Sequence, residues 1–195
     1  MARSIEFDYA TALDRATWLF WRNGYGDTSL RDLLKVMEIG EGSFYNTLKS
    51  KKNLYMACLN HYSETEGLKR GHALKSAPTA SSGVRALFSA VLDCLDNPNT
   101  PSRLCMLAAM MSEDVLADAE LREFAERGIA TFSQQLARKI KSDKDAGKLK
   151  SEVDPKAVAS VIVTYLQGLW RMALVSYDRP RFERQISVFL SGFGL

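Results

Sequence analysis

Three cysteines, two histidines and a cluster of lysines carry most of the chemical potential of this 195-residue chain. Cys105 lies two residues after Arg103, near the expected start of a helix. A cation and a helix N-terminus both favour thiolate, the form that reacts with oxidants and electrophiles. The same thiol stands between Leu104 and Met106, where it equally suits an inert core position. Cys58 and Cys94 sit in apolar helical settings and read as structural. His61 and Glu64 are three apart and His72 is eleven beyond His61, so no compact set of metal ligands forms. Glu113-Asp114 and Asp118-Ala119-Glu120 read as a solvated face and an N-terminal helix charge. Glycine-rich phosphate loops, nucleophile elbows and paired-carboxylate motifs are absent from the sequence. The chain therefore reads as no enzyme, with no metal and no cofactor. Lys49, Lys51 and Lys52 surround Ser50; taken alone, they read as a solvated turn.

The elements that position these groups are helices. Apolar residues recur at spacings of three and four, and alternating strand patterns are nearly absent. The spacing predicts a first helix from about Phe7 to Asn23, stopped by Gly24. A short second helix runs from Thr28, its expected N-cap, to Met37, and a short third from Gly42 to Leu48. Ser50 caps a fourth, expected to continue to Leu74; a fifth covers Val84 to Asp96. A sixth is expected from Pro101 to Val115, a seventh from Asp118 to Ala146, an eighth from Pro155 to Tyr177 and a ninth from Arg179 to Gly192.

The fold class is thus all-α. An N-terminal three-helix domain spans residues 1–50, and a six-helix domain spans 51–195. Lys+Arg exceed Asp+Glu by 26 to 23, and scattered, odd-numbered cysteines suit a reducing compartment, so the expected location is cytoplasmic. The charged opening Met1–Asp8 does not suit a signal peptide. The apolar stretch Val158–Tyr177 contains Gln167 and Arg171 and reads as a buried or interface helix, with no membrane partner.

Two short helices joined by a tight turn can brace one another so that the second enters a DNA major groove, although the same shape also serves as a plain packing unit. The stretch Phe20-Trp21-Arg22-Asn23-Gly24-Tyr25-Gly26-Asp27-Thr28-Ser29-Leu30-Arg31-Asp32-Leu33, with Gly42-Ser43-Phe44-Tyr45 and Lys49-Ser50-Lys51-Lys52-Asn53-Leu54, resembles the opening of the TetR/AcrR family of transcriptional regulators. The resemblance implies a helix-turn-helix head and double-stranded operator DNA as partner. Thr28 and Ser29 would offer hydroxyls to a phosphate, and Arg31 would stand on the same side. Gly42 would permit close approach to the groove, while Ser43 and Asn46 would face base edges or phosphates. Tyr45 resembles the family's phosphate-contacting Tyr, with a partly buried role as the alternative. Lys51 resembles its phosphate-neutralising Lys; Lys49 and Lys52 add charge. The small core would hold Leu13, Phe20, Tyr25, Leu30, Leu33, Phe44, Leu48 and Leu54. Glu38 stands where the family usually has Gly, and Glu41 where it often has a basic or small polar residue. Both acids repel phosphates, although Glu41 can instead accept from a cytosine amino group. Residues 1–70 hold 10 Lys+Arg against 9 Asp+Glu, so attraction to DNA must come from arrangement.

In the larger part, Val158, Ile162, Tyr165, Leu169 and Ala173 form one stripe, and Phe182, Ile186 and Phe189 another. They suit either a homodimer face, the mode the resemblance implies, or completion of a monomer core. Tyr62, Phe88, Leu92, Met106, Met110, Phe124, Tyr165 and Trp170 are candidates to line a pocket for a small, partly apolar effector, with Arg103 and Gln167 as orienting groups. The same residues suit an ordinary core. The resulting reading is a ligand-released repressor. A thiol-based sensor using Cys105 and a helical adaptor with weak DNA binding are the alternatives.

Overall fold

In the computed structural model, which describes residues 8–149 and 152–195, every regular element is helical. The expected helix start at Phe7 and most of the stretch read for targeting lie outside the described residues. The chain folds as two compact units. One takes in residues up to Thr65 together with Cys105–Phe124; the other holds Glu66–Leu104 and Ala125–Leu195. This partition differs from 1–50 and 51–195, because the helix after Ser50 and the Cys105–Phe124 segment pack with the head.

In the first unit, α1 (Tyr9–Asn23) begins where the Asp8 carboxylate accepts hydrogen bonds from the Ala10 and Thr11 amides. It ends at Gly24, whose φ of 82° suits glycine. α2 (Leu30–Met37) is capped by Ser29, α3 (Glu41–Thr47) follows, and α4 (Lys51–Tyr62) is capped by Ser50. Phe20, Leu33, Phe44, Leu48, Leu54, Tyr55 and Leu59 are buried between these helices. Leu13, Tyr25 and Leu30 are half-buried. Aromatic edges lock the centre: Phe20 meets Tyr55 at 4.9 Å and Trp21 meets Tyr62 at 4.9 Å between ring centroids.

The fourth helix does not run unbroken to Leu74. Ser63–Gly67 forms a π-helical turn before α5 (Leu68–Ser76). There the Ser63 and Thr65 hydroxyls bond back to carbonyls of the preceding turn, competing with the α pattern. A helix from Pro101 to Val115 is also not formed. Two single turns, α7 (Met106–Ala109) and α8 (Glu113–Leu116), replace it. Leu104, Cys105, Met106, Ala108 and Met110 are all buried, a succession that a 3.6-residue period cannot place on one face. α9 (Ala119–Asp145) follows.

In the second unit, α6 (Ala80–Asp96) starts four residues earlier than Val84. Thr79 and Ser82 form a reciprocal capping box, and the buried Asp143 carboxylate accepts from the Ala80 amide. α5 and α6 approach closely at Gly83, where a Cβ would lie 2.7 Å from the Leu74 carbonyl oxygen. α10 (Pro155–Val175) and α11 (Arg179–Ser191) each open with an Asp cap and an early Pro. By length and composition α10 could cross a membrane, yet Val158, Ala159, Ile162, Val163, Leu166, Leu169, Trp170 and Ala173 are buried inside the chain.

Candidate nucleic-acid interface

The turn between α2 and α3 is built on an unusual backbone conformation. Glu38 is left-handed, with φ 57° and ψ 39°, and the Ile39 amide donates to the Leu34 carbonyl. This is the position where the resemblance expects Gly. Glu38 is also drawn sideways: its carboxylate lies 2.7 Å from Arg15, which donates in addition to the Val36 carbonyl. The acid therefore already has a cationic neighbour.

α3 buries Phe44, and Leu48 behind it, while exposing Glu41, Gly42, Ser43, Tyr45, Asn46 and Thr47. Spacing decides this division. Phe44 and Leu48 are four apart and face the core, so the residues between them point outward. Tyr45 is 47% exposed and touches Phe44 edge to face at 5.3 Å. Nearly half of the residue is exposed while its ring rests on the buried Phe44.

The expected roles of Thr28 and Ser29 separate. Thr28 is fully buried and its hydroxyl donates to the Gly24 carbonyl at 2.6 Å, so it cannot present that hydroxyl to a phosphate. Ser29 is the N-cap instead. Its Oγ accepts from the Asp32 amide at 3.1 Å and donates to the Asp32 carboxylate at 2.6 Å. Both residues are good caps by type; the turn from Gly24 takes the first inward. Arg31 stands exposed in the first turn of α2.

The lysines separate as well. Lys49 is left-handed, with φ 64°, and its ammonium donates to the Asn46 carbonyl at 2.7 Å, at the C-terminal end of α3. Lys51 lies over the Tyr25 ring, 4.5 Å from the centroid. Burial pushes its pKa below the ordinary lysine value, and Asp27 opposes that shift. Lys52 is bound on the other side: its ammonium is 3.1 Å from Asp118 and 2.8 Å from Glu120. The hydrogen bonds its ammonium donates to Glu120 and then Asp118 raise its pKa. The sequence alone points to no partner for Asp118 or Glu120 and only to packing for Tyr25. The Lys52–Asp118 pair spans 66 positions, beyond the reach of any local pattern.

Cys105 departs from the arrangement that would activate it. It precedes a helix of only four residues, is 6% exposed, and accepts a hydrogen bond from the Tyr62 hydroxyl at 3.3 Å. Arg103 is exposed. Cys58 is buried, and burial pushes its thiol up to about 12, which keeps it protonated and unreactive. Among the described residues no three His, Cys, Asp or Glu side chains gather as a metal site.

The expected pocket residues are divided between the two units. Tyr62, Met106 and Met110 are buried and Phe124 half-buried in the first unit; Arg103, Tyr165, Gln167 and Trp170 belong to the second. A cavity of about 180 Å³ in the second unit is lined by Arg85, Phe88, Ser89, Leu92, Glu183, Ile186 and Ser187, so only Phe88 and Leu92 of the expected set line it.

The expected dimer stripe is also corrected. Val158, Ile162, Leu169, Ala173, Phe182 and Ile186 are buried within the chain itself. Tyr165 and Phe189 stack on each other at 3.9 Å. Large apolar residues remain exposed on α10 at Val161, Met172 (57%), Leu174 and Val175 (78%), and on α11 at Val188. α10 is apolar almost all round, so periodicity could not separate an inner from an outer stripe.

Residues 80–189 match the family described as tetracyclin repressor-like, C-terminal domain. Over 192 residues, 98% of both chains, the sequence is 28% identical to YezE of Bacillus subtilis, described as an uncharacterized HTH-type transcriptional regulator. It is 30% identical over 102 residues, 52% of this chain and 49% of the other, to the HTH-type transcriptional repressor ComR of Escherichia coli. Among solved structures, a cysteine-substituted form of the TetR family transcriptional regulator CifR, complexed with 26 bp double-strand operator DNA, aligns with a TM-score of 0.85 and 27% identity. That alignment covers 97% of this chain and 98% of the other.

Proposed function

The chain belongs to the tetracycline-repressor-like (TetR) family of DNA-binding transcriptional regulators, and from that premise we propose that it is a cytoplasmic repressor that grips a palindromic operator as a homodimer and lets go when a small effector binds its second unit. The observation that carries the reading is the exposed polar face of α3 beside Lys51 and the capped start of α4. Ser43, Tyr45 and Asn46 are exposed to meet base edges and phosphates, and Lys51 sits in the first turn of α4, whose N-terminus attracts anions. Arg31 and Glu41 flank that face. Thr28 has no direct role in this scheme; it holds the turn.

Homodimer formation is supported by the exposed apolar face of α10 and by Val188. A homodimer would set two α3 helices about one duplex turn apart. The effector reading is supported by the cavity lined by Phe88, Leu92 and Ile186 with Arg85, Ser89, Glu183 and Ser187 at its rim. Its volume, about 180 Å³, suits a molecule of few heavy atoms with an apolar body and a polar edge.

Retardation of a duplex taken from beside the chain's own coding region tests this function. The expected outcome is binding that falls steeply with salt. Lys51→Ala should weaken it on the order of tenfold on every sequence and reduce the salt slope by about one per protomer. An unchanged slope in Lys51→Ala would remove Lys51 from the interface. Failure of the wild-type chain to prefer its own duplex over mixed DNA would favour the adaptor reading.

A further inference from the structure

Lys51 and Lys52 are neighbours in the first turn of α4, but only Lys52 is held by two carboxylates of its own unit. Its Nζ lies 3.1 Å from Asp118 Oδ2 and 2.8 Å from Glu120 Oε2. All three side chains are partly exposed, and such pairs contribute little to fold stability. The arrangement therefore calls for another explanation.

Three features give one. Asp118 is fixed in place, because its carboxylate also accepts from the Glu120 amide at 3.0 Å and the Leu121 amide at 3.2 Å as the cap of α9. Lys52, in contrast, carries a long flexible stem and is the movable partner. Its position, second in a helix that starts from Ser50, is one where the backbone itself attracts anions. A carboxylate pair at that place makes the contact a backbone phosphate would make. An ammonium neutralised by two carboxylates also releases no counterions when DNA arrives.

We infer that Asp118 and Glu120 are an intramolecular competitor for the duplex: they hold Lys52 out of phosphate contact and so set operator affinity below what the head could reach. The inference rests on the operator-binding reading above. Asp118 and Glu120 are positioning residues that act through Lys52. They place net negative charge at the edge of the interface, in keeping with a head in which residues 1–70 carry 10 Lys+Arg against 9 Asp+Glu.

The test is the salt dependence of binding by the full chain, read by fluorescence anisotropy on two labelled duplexes. One comes from beside the chain's own coding region, and one is of mixed sequence and equal length. Asp118→Asn/Glu120→Gln removes both charges while keeping a competent N-cap. The expected result is binding about fivefold tighter near 0.1 M salt, with a log–log salt slope steeper by about 0.9 per protomer on both duplexes. Adding Lys52→Met to that variant should return the slope to the wild-type value. A wild-type slope in the double variant, with thermal melting unchanged, would overturn the competitor, as would a steeper slope that persists after Lys52→Met. Loss of preference between the two duplexes in the wild-type chain would overturn the operator reading instead, and the slope comparison on the mixed duplex would still decide the role of Asp118 and Glu120.

Discussion

α3 and α10 each use one face within their own unit and leave another uncovered, but the uncovered faces differ in chemistry. Outward from α3 point Glu41, Ser43, Tyr45, Asn46 and Thr47 over a core contact made by Phe44. Outward from α10 point Val161, Met172, Leu174 and Val175, with Ser160, Thr164 and Arg171 among them, over a core contact made by Ile162, Leu169 and Ala173. A polar face gains little from burial against apolar surface and much from fixed phosphates and base edges. The apolar face gains roughly 1.5–3 kcal/mol for each large side chain taken fully out of water. The same helical periodicity thus leaves one surface suited to nucleic acid and one suited to a second copy of the chain. Exposure on its own does not distinguish them; the residue types do.

The comparison breaks most visibly at α10. Val161→Glu/Met172→Glu should convert a dimer to a monomer at micromolar concentration, read by light scattering. It should weaken operator binding on the order of a hundredfold, because linked half-sites become independent. Ile162→Glu should instead unfold the second unit. A double variant that stays dimeric would assign the apolar face to another partner.

The next contrast lies within α3. Phe44→Ala should cost about 3–4 kcal/mol of stability, measured by denaturant unfolding, since the ring is fully buried. Tyr45→Ala should stay within about 0.5 kcal/mol of wild type and yet lose operator binding on the order of tenfold. Equal stability losses would mean that Tyr45 is a core residue with an exposed edge. The smallest effect is expected at Glu38. Replacing it with Gly relieves a left-handed residue, at about 1–2 kcal/mol, but adds glycine entropy of about 0.5–1 kcal/mol and removes the surface pair with Arg15. The net expectation is a gain of about 0.5 kcal/mol, or one to two degrees in Tm, with slightly tighter DNA binding. A loss above 1 kcal/mol would show that the Arg15 contact organises the turn.

Much of the fold was legible because helix caps and stops are local signals. Gly24, Ser50, Pro155 and Gly147 carry them in their own side chains or in the lack of one. Neighbouring residues of one type were harder to tell apart. Thr28 and Ser29 are both hydroxyl caps, and only the turn from Gly24 decides which is buried. Lys51 and Lys52 look alike until Tyr25 claims one and Asp118 with Glu120 the other. The pocket residues were unreadable for a different reason: methionines and aromatics fill cores and line cavities with the same chemistry. The π turn at Ser63–Gly67 and the two single turns after Cys105 arise from tertiary burial and hydroxyl competition, which periodicity does not encode.

Glu38 and Lys49, both left-handed and neither a glycine, stand just before and just after α3, the helix proposed to face DNA. Side chains at those two joints narrow the torsional range through which α3 can rock. In the proposed complex a helix so clamped would meet the duplex as a rigid probe, with little freedom to adapt to a wrong sequence. The cost of that stiffness falls on folding, and little ordering remains to be done at the moment of docking.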